Sequence, residues 1–163
     1  MPQSSFDVRI SERPEMLLYG LVVRTDMTRA FEDCSRLWEK DFVHRMPELS
    51  GKPFEQPQGD SYGLSFVVDM QAGTFDYWAA MPLTPGLPEP QGLKKVTLPA
   101  GLYAGCRVQA IEQLSAAYTY LYEKWIGTQP DYEFRMDAPS LEIYGREYLE
   151  NGALEALVPV KKK

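Results

Sequence analysis

The chain has 163 residues, 44% of them hydrophobic, and its 17 basic and 23 acidic side chains give a formal charge of −6. A chain of this length buries about 70% of its unfolded surface on folding, enough for one compact domain. The acidic balance excludes a general phosphate-backbone binder, which needs clustered Lys and Arg, and no apolar run approaches the ~20 residues of a membrane span.

Residues 1–7 lack the basic head and hydrophobic centre of an export signal, so the protein is expected in the cytoplasm, away from membranes. From Met16 to Thr25 a short apolar run rich in Leu and Val reads as a strand. From about Thr28 to His44 the residues Phe31, Cys34, Leu37, Trp38 and Phe42 recur at spacings of three and four, which predicts a helix with Asp26 or Thr28 as its cap and Pro47 at its end. Lys52 to Asp60 is rich in Pro, Gly and Gln and reads as a loop. Tyr62 to Met70 and Thr74 to Met81 then form a hairpin across Gln71-Ala72-Gly73.

Pro82 to Gly92 holds four prolines and two glycines, the composition of a linker. Lys95 to Val108 is a strand broken around Pro99-Ala100-Gly101. Ile111 to Ile126 is a helix with the stripe Leu114, Ala117, Tyr118, Leu121, Tyr122 and Trp125, and Gly127 is placed to terminate it. Two strands, about Pro139 to Tyr148 and Leu154 to Val160, follow, and Lys161 to Lys163 read as a solvated tail.

The chain repeats itself. Leu18-Tyr19-Gly20 and Leu37-Trp38-Glu39-Lys40 return 84 residues later as Leu102-Tyr103-Ala104 and Leu121-Tyr122-Glu123-Lys124. Further on, Leu64-Ser65-Phe66 matches Leu141-Glu142-Ile143 and Met81-Pro82 matches Val158-Pro159, both at an offset of 77. The predicted architecture is α+β: duplicated β-α-β-β units forming one antiparallel sheet with both helices on one face, pseudo-twofold symmetric. Residues 1–163 make one domain, with a first repeat at about 16–82, a linker at 82–92 and a second repeat at about 93–160. The seam between the halves is a natural place for a pocket, and Ser65 against Glu142 is the strand position where the copies differ most in chemistry.

Cys34 and Cys106 lie inside periodic apolar segments and read as reduced, buried small hydrophobes. A lone histidine, His44, cannot assemble a multi-histidine zinc site, and its place at the polar end of a predicted helix suits an interaction with the helix terminus. No metal and no cofactor is expected.

Gly101-Leu-Tyr-Ala104, Tyr118 to Trp125, Pro139-Ser-Leu-Glu-Ile-Tyr144 and Val158-Pro-Val160 occur in an order and spacing that resembles the GyrI-like effector-binding domain. That family includes ligand-sensing halves of AraC- and MerR-type multidrug-responsive activators, cationic-drug-binding proteins of integron cassettes and a gyrase-inhibiting protein. The resemblance covers Met16 to Val160 and is most specific from Ala100 onward. It implies a ligand-binding acid at Glu142, with Tyr144 on the same side of the strand.

By alternation alone, Glu142 would equally suit a wet sheet surface shared with Ser65, Val67 and Asp69. Inside an aromatic pocket, however, a carboxylate without a partner attracts a cation. Tyr118 and Tyr122 are candidate walls, because a buried phenol needs a polar partner. Trp78 is a candidate from the first repeat. Trp38 and Trp125 are candidates for which core packing is the competing reading.

The resemblance thus implies a free-standing module binding a hydrophobic cationic small molecule, as a monomer or homodimer and in possible concert with a regulatory protein partner. No separate helix-turn-helix is evident, so direct nucleic-acid binding is not expected. Two alternatives stay open. One is a hydrolase of strained or electrophilic small molecules with Glu142 and Tyr144 as catalytic groups. The other is a gyrase-inhibitor-like protein.

Overall fold

The computed structural model describes residues 6–53 and 55–163. The first five residues, part of the segment read for an export signal, and Phe54, in the expected loop, lie outside them. Among the described residues nine strands form one antiparallel sheet: β1 (Val8–Arg13), β2 (Met16–Asp26), β3 (Ser61–Asp69), β4 (Thr74–Met81), β5 (Lys94–Leu98), β6 (Gly101–Val108), β7 (Tyr132–Phe134), β8 (Ser140–Tyr144) and β9 (Leu154–Lys162). Their order is β1-β6-β9-β8-β3-β4-β2-β5, with β7 also paired to β9.

That order forces the sheet to curl. β1 and β2 are two residues apart in the chain yet stand near opposite ends of the sheet, and β5 and β6 do the same. One register runs through both pairings, from Val8 opposite Cys106 and Arg13 opposite Gly101 to Met16 opposite Leu98 and Gly20 opposite Lys94. The two long strands therefore form a continuous ribbon, interrupted at Pro14-Glu15 and Pro99-Ala100, where proline supplies no ladder donor.

Leu18, Leu64, Leu98, Tyr103, Leu141 and Leu157 pack into a core with no helical member, so one face of the curled sheet closes on itself. The other face carries the helices. Helical residues 30–50 comprise α1 (Ala30–Arg36), a π-helical turn (Leu37–Phe42), a 3-10 turn (Val43–Arg45) and α2 (Met46–Ser50). They seal a core of Leu37, Phe42 and Leu49 against Tyr19, Tyr77 and Ala79. In the second half, helical residues 111–128 include α3 (Leu114–Thr119) and a π-helical turn (Tyr120–Trp125), and they seal Ala117, Leu121 and Trp125 against β6 and β9. Full burial of a Leu or Phe side chain is worth about 1.5–3 kcal/mol, so these two stripes anchor the helices.

The pseudo-twofold runs between the central strands. Leu64 lies opposite Leu141, the residue that the 77-residue offset equates with it, and Ser65 and Gly63 lie opposite Ser140 and Glu142. The 84-residue match of the leading strands is out of phase, however. Tyr19 packs under the first helix, whereas Tyr103 points into the closed sheet core, so the structural alignment there must differ by an odd number of residues.

Several boundaries differ from expectation for local reasons. Pro47 does not end the first helix; it stands in the first turn of α2, where its missing N–H costs nothing, and Gly51 ends the stretch at φ 75°. His44 accordingly lies within the helical stretch and not at its end. Neither Asp26 nor Thr28 is the N-cap of α1, which is Arg29 without a side-chain cap; Asp26 fixes the turn before the helix, accepting from the backbone N–H groups of Thr28 and Arg29 and from the Thr28 hydroxyl. Gly127 stays inside a 3-10 turn, and Gln129 is the residue that leaves the helix. The strand expected over 139–148 stops at Tyr144 and gives way to α4 (Arg146–Asn151). Lys161 and Lys162, read as tail, are the exposed end of β9 paired with Glu133 and Tyr132.

Candidate functional site

On the helical face of the sheet, between the two helices, lies a cleft of about 1560 Å³. Its floor is β3, β4 and β8, where alternation directs Glu142 and Tyr144 toward the helices while Leu141 and Ile143 enter the closed core. Glu142 is 5% exposed. Space for its carboxylate exists because the residue opposite it on β3 is Gly63.

Three phenols hold the acid. Tyr77 donates to Oε1, Tyr144 donates to Oε1 at 3.0 Å, and Tyr118 donates to Oε2 at 3.3 Å. Tyr77 is itself oriented by Trp38, whose indole Nε1 donates to the phenol oxygen at 2.7 Å and leaves the phenol proton free to point at the acid. Among the described residues no Lys or Arg pairs with Glu142.

The electrostatics follow from that enclosure. Burial pushes the Glu142 carboxyl above its ordinary 4.5, while the hydrogen bonds from Tyr77, Tyr144 and Tyr118 pull the other way. Burial first and the neighbouring acid second push Tyr77, Tyr118 and Tyr144 well above the usual phenol range, so all three stay neutral donors. Cys34 lines the same cleft. Burial, helped by the charge of Glu142, pushes its thiol up to about 12, so it offers no thiolate nucleophile at neutral pH.

Rings continue outward from the acid in two bands. Trp38 meets Tyr144 with centroids 5.3 Å apart, and Tyr144 meets Tyr148 at 4.9 Å. Tyr118 stacks with Tyr122 at 6.4 Å, and Tyr122 meets Phe134 at 4.9 Å. At the mouth, Met27, Phe31 and Met70 are 75%, 85% and 75% exposed, a large outlay of apolar surface for a chain of net charge −6.

Of the seven residues singled out in the sequence, the structure brings together Glu142, Tyr144, Tyr118, Tyr122 and Trp38. It leaves out two. Trp78 faces the closed sheet core, opposite in parity to Tyr77, and Trp125 is buried beneath the second helix. The acid also differs from expectation in having partners, since three phenols satisfy it. Sequence reasoning missed Tyr148 and Phe134 in the outer bands and, at the acid itself, Tyr77. The signal for Tyr77 was strand parity: Ser65, the counterpart of Glu142, pairs with Tyr77 and shares a face with Glu142 across β3 and β8.

The GyrI-like small molecule binding domain family matches residues 6–161. The chain belongs to that family. Its fold is similar to an integron cassette protein from Vibrio cholerae, with a TM-score of 0.63 and 20% identity over 94% of this chain and 95% of that one. It is also similar to SAV2435 bound to tetraphenylphosphonium, with a TM-score of 0.68 and 15% identity over 95% and 94% of the two chains. The EcmrR C-terminal domain gives a TM-score of 0.65 and 14% identity over 97% and 99%. At these identities the likeness is one of fold. No curated protein sequence matches the chain. As a GyrI-like domain this is a small-molecule binding protein, and among the described residues no helix is long and apolar enough to cross a membrane.

Proposed function

We propose that this GyrI-like domain captures a lipophilic cation, with the positive charge seated against Glu142 and the apolar body spread over the aromatic bands. One observation carries the reading: a carboxylate almost wholly out of water whose partners, among the described residues, are three neutral phenols and no base. A buried acid in that state is raised in energy by lost hydration, and an incoming cation recovers part of the loss. Each ring face presented to the ligand adds about 0.5–2 kcal/mol, depending on desolvation. Two or three such contacts with apolar burial reach micromolar affinity, about −8 kcal/mol. The tetraphenylphosphonium in the SAV2435 structure belongs to that protein, and it supplies a reasonable probe for this one.

In this reading the domain works in the cytoplasm, sequestering the cation or reporting it to a separate regulatory protein. The test is calorimetric titration of tetraphenylphosphonium against its neutral relative triphenylphosphine oxide. We expect the cation to bind at least tenfold more tightly and to raise the melting temperature at saturating concentration. Equal affinity for the two overturns the charge argument.

A further inference from the structure

Gly63 occupies the interior of a central strand, flanked by Ala79 on one side and Glu142 on the other. Glycine there weakens a strand by about 0.5–1 kcal/mol relative to alanine, through backbone entropy and absent packing. Its backbone does not require it, because its φ lies outside the left-handed region and any residue adopts that conformation. What the position cannot accept is a side chain. A Cβ on Gly63 would stand 2.5 Å from Glu142 Oε1 and 2.8 Å from its Cδ, and closer still to the Tyr77 hydroxyl. The volume a methyl group would fill is taken by the carboxylate and its first donor.

We propose that Gly63 is a positioning residue that sets the depth of the acid. The missing side chain is the seat in which the Glu142 carboxylate lies back against the sheet, within reach of Tyr77 and Tyr144 on Oε1 and away from water. Any Cβ at this position lifts the carboxylate toward the open cleft, separates Oε1 from its two donors and hydrates the acid. Depth then governs selectivity. A seated acid gains much from a desolvated cation and nothing from a neutral molecule, whereas a hydrated surface acid discriminates weakly between them. The counterpart of Gly63 across the pseudo-twofold is Ser140, opposite Ser65, where no acid needs a seat.

The inference rests on the cation reading for its consequence but not for its geometry, so two readouts separate them. The first is the Glu142 carboxyl titration followed by carbon NMR without ligand. Gly63→Ala lowers the midpoint, because the burial it relieves outweighs the phenol hydrogen bonds it breaks. The second is tetraphenylphosphonium binding, which weakens about tenfold in Gly63→Ala while triphenylphosphine oxide binding is unchanged. Glu142→Asp shortens the acid by one methylene, so the combination Gly63→Ala with Glu142→Asp relieves the contact with the carboxylate and leaves the Tyr77 hydroxyl, the far end of a side chain, as the group that must shift. That combination recovers at least half of the lost selectivity for the cation, although Glu142→Asp alone, with its seat left empty, loses selectivity. An unshifted titration in Gly63→Ala, or strictly additive effects in the combined variant, overturns the proposal. Should Gly63→Ala fail to fold, the combined variant with Tyr77→Phe added folds, because the obstructions were the acid and its phenol donor. Failure of that triple variant to fold also overturns it, since the backbone rather than these two side chains would then need the glycine. A normal titration shift with no cation preference in the wild-type protein leaves the seat standing and removes the cation reading alone.

Discussion

The two halves of the molecule share a frame and divide the chemistry. Each contributes a leading strand, a helix with a π-helical turn and a hairpin or its equivalent, and the central strands meet at Leu64 opposite Leu141. Yet the second half supplies the acid, with Tyr118, Tyr122, Tyr144, Tyr148 and Phe134, while the first supplies Ser65 at the acid's counterpart, the Trp38–Tyr77 donor chain and the exposed Met27, Phe31 and Met70. A symmetric scaffold is therefore not a symmetric site. One half holds the charge and two of its three donors, and the other supplies the Trp38–Tyr77 donor chain; the apolar mouth is shared, since Met136 and Leu149 of the second half are also exposed there.

Removing the charge tests that division most severely. Glu142→Gln is expected to weaken tetraphenylphosphonium binding by about 1.5–3 kcal/mol, the usual worth of a contact with an ionised group, which calorimetry reads as roughly a 10- to 150-fold loss. The same change is expected to stabilise the unliganded protein at neutral pH. Below the ordinary carboxyl value of 4.5, folded and unfolded chains both carry the proton and burial of Glu142 costs little. Between that value and its raised folded value, the unfolded chain has released a proton the folded chain keeps, so stability falls as pH rises. Above the folded value the full penalty persists. Glutamine removes this pH-dependent loss, and melting curves from pH 4 to pH 8 should separate variant from wild type increasingly toward the upper end. Cation affinity of the wild type runs the opposite way, rising with pH as the carboxyl ionises. Parallel melting curves for the two proteins would mean that the acid is not buried in solution.

Tyr77→Phe attacks the first half's contribution. Among the hydrogen bonds, that from Tyr77 lowers the Glu142 carboxyl most, so its loss is expected to move the onset of cation binding to higher pH. It also deprives the half-buried Trp38 indole of its acceptor, at a cost of about 1 kcal/mol, the low end for a polar group left unpaired. Denaturant unfolding reads the second effect and a pH series of titrations the first. A stability loss with an unmoved pH profile would mean that the phenol supports the helix but does not tune the acid.

How much of this was legible in the sequence depends on which rule each residue obeys. Strands β2, β3, β4, β6 and β9 and both helices follow from periodicity, because each buries at least one regular face. β1 and β7 do not, because Val8–Arg13 alternates weakly and Tyr132–Phe134 is too short for a period to register. The π-helical turns and α4 are invisible for a related reason: they are set by tertiary packing and by the glycine at each end of α4, not by residue spacing. Glu142 was found through the family-like Pro139-to-Tyr144 segment. Tyr77 was missed because its strand is apolar on both faces, so alternation could not tell it from Trp78. The 84-residue match holds in the helices, where Leu37 and Leu121 are both buried, but is out of phase in the leading strands, since a strand's two faces differ by one residue.

Making the halves alike sharpens the comparison from the other side. Ser65→Glu places a second acid on the same face, diagonal to the first across the β3–β8 pair, at about 7–8 Å between backbones. The wild type, with one acid, is expected to prefer a monocation over a short bis-quaternary dication. The variant is expected to shift that preference toward the dication by about tenfold, ~1.4 kcal/mol, in competition titrations at a pH where both acids ionise. An unchanged preference would show that the ligand's charge never samples the first half.

The smallest effect on binding is expected from the residue that strand parity placed on the wrong face. Trp78 packs into the closed sheet core behind the floor of the cleft, with Leu64 opposite it on β3. Trp78→Ala should cost about 2–3 kcal/mol of stability, below the 3–5 kcal/mol of a fully buried tryptophan because this one is only half-buried. Its effect on tetraphenylphosphonium affinity should be less than twofold. The contrast with Trp38→Phe is instructive, because that indole reaches the acid through Tyr77 and should shift the pH profile of binding while costing less stability than Trp78→Ala. Two tryptophans of the same half, forty residues apart in sequence, are thus separated by what their rings face and not by how deeply they lie. If Trp78→Ala weakened binding tenfold, the curled sheet would have to transmit strain from its closed core to Glu142, and the division between the two faces would fail.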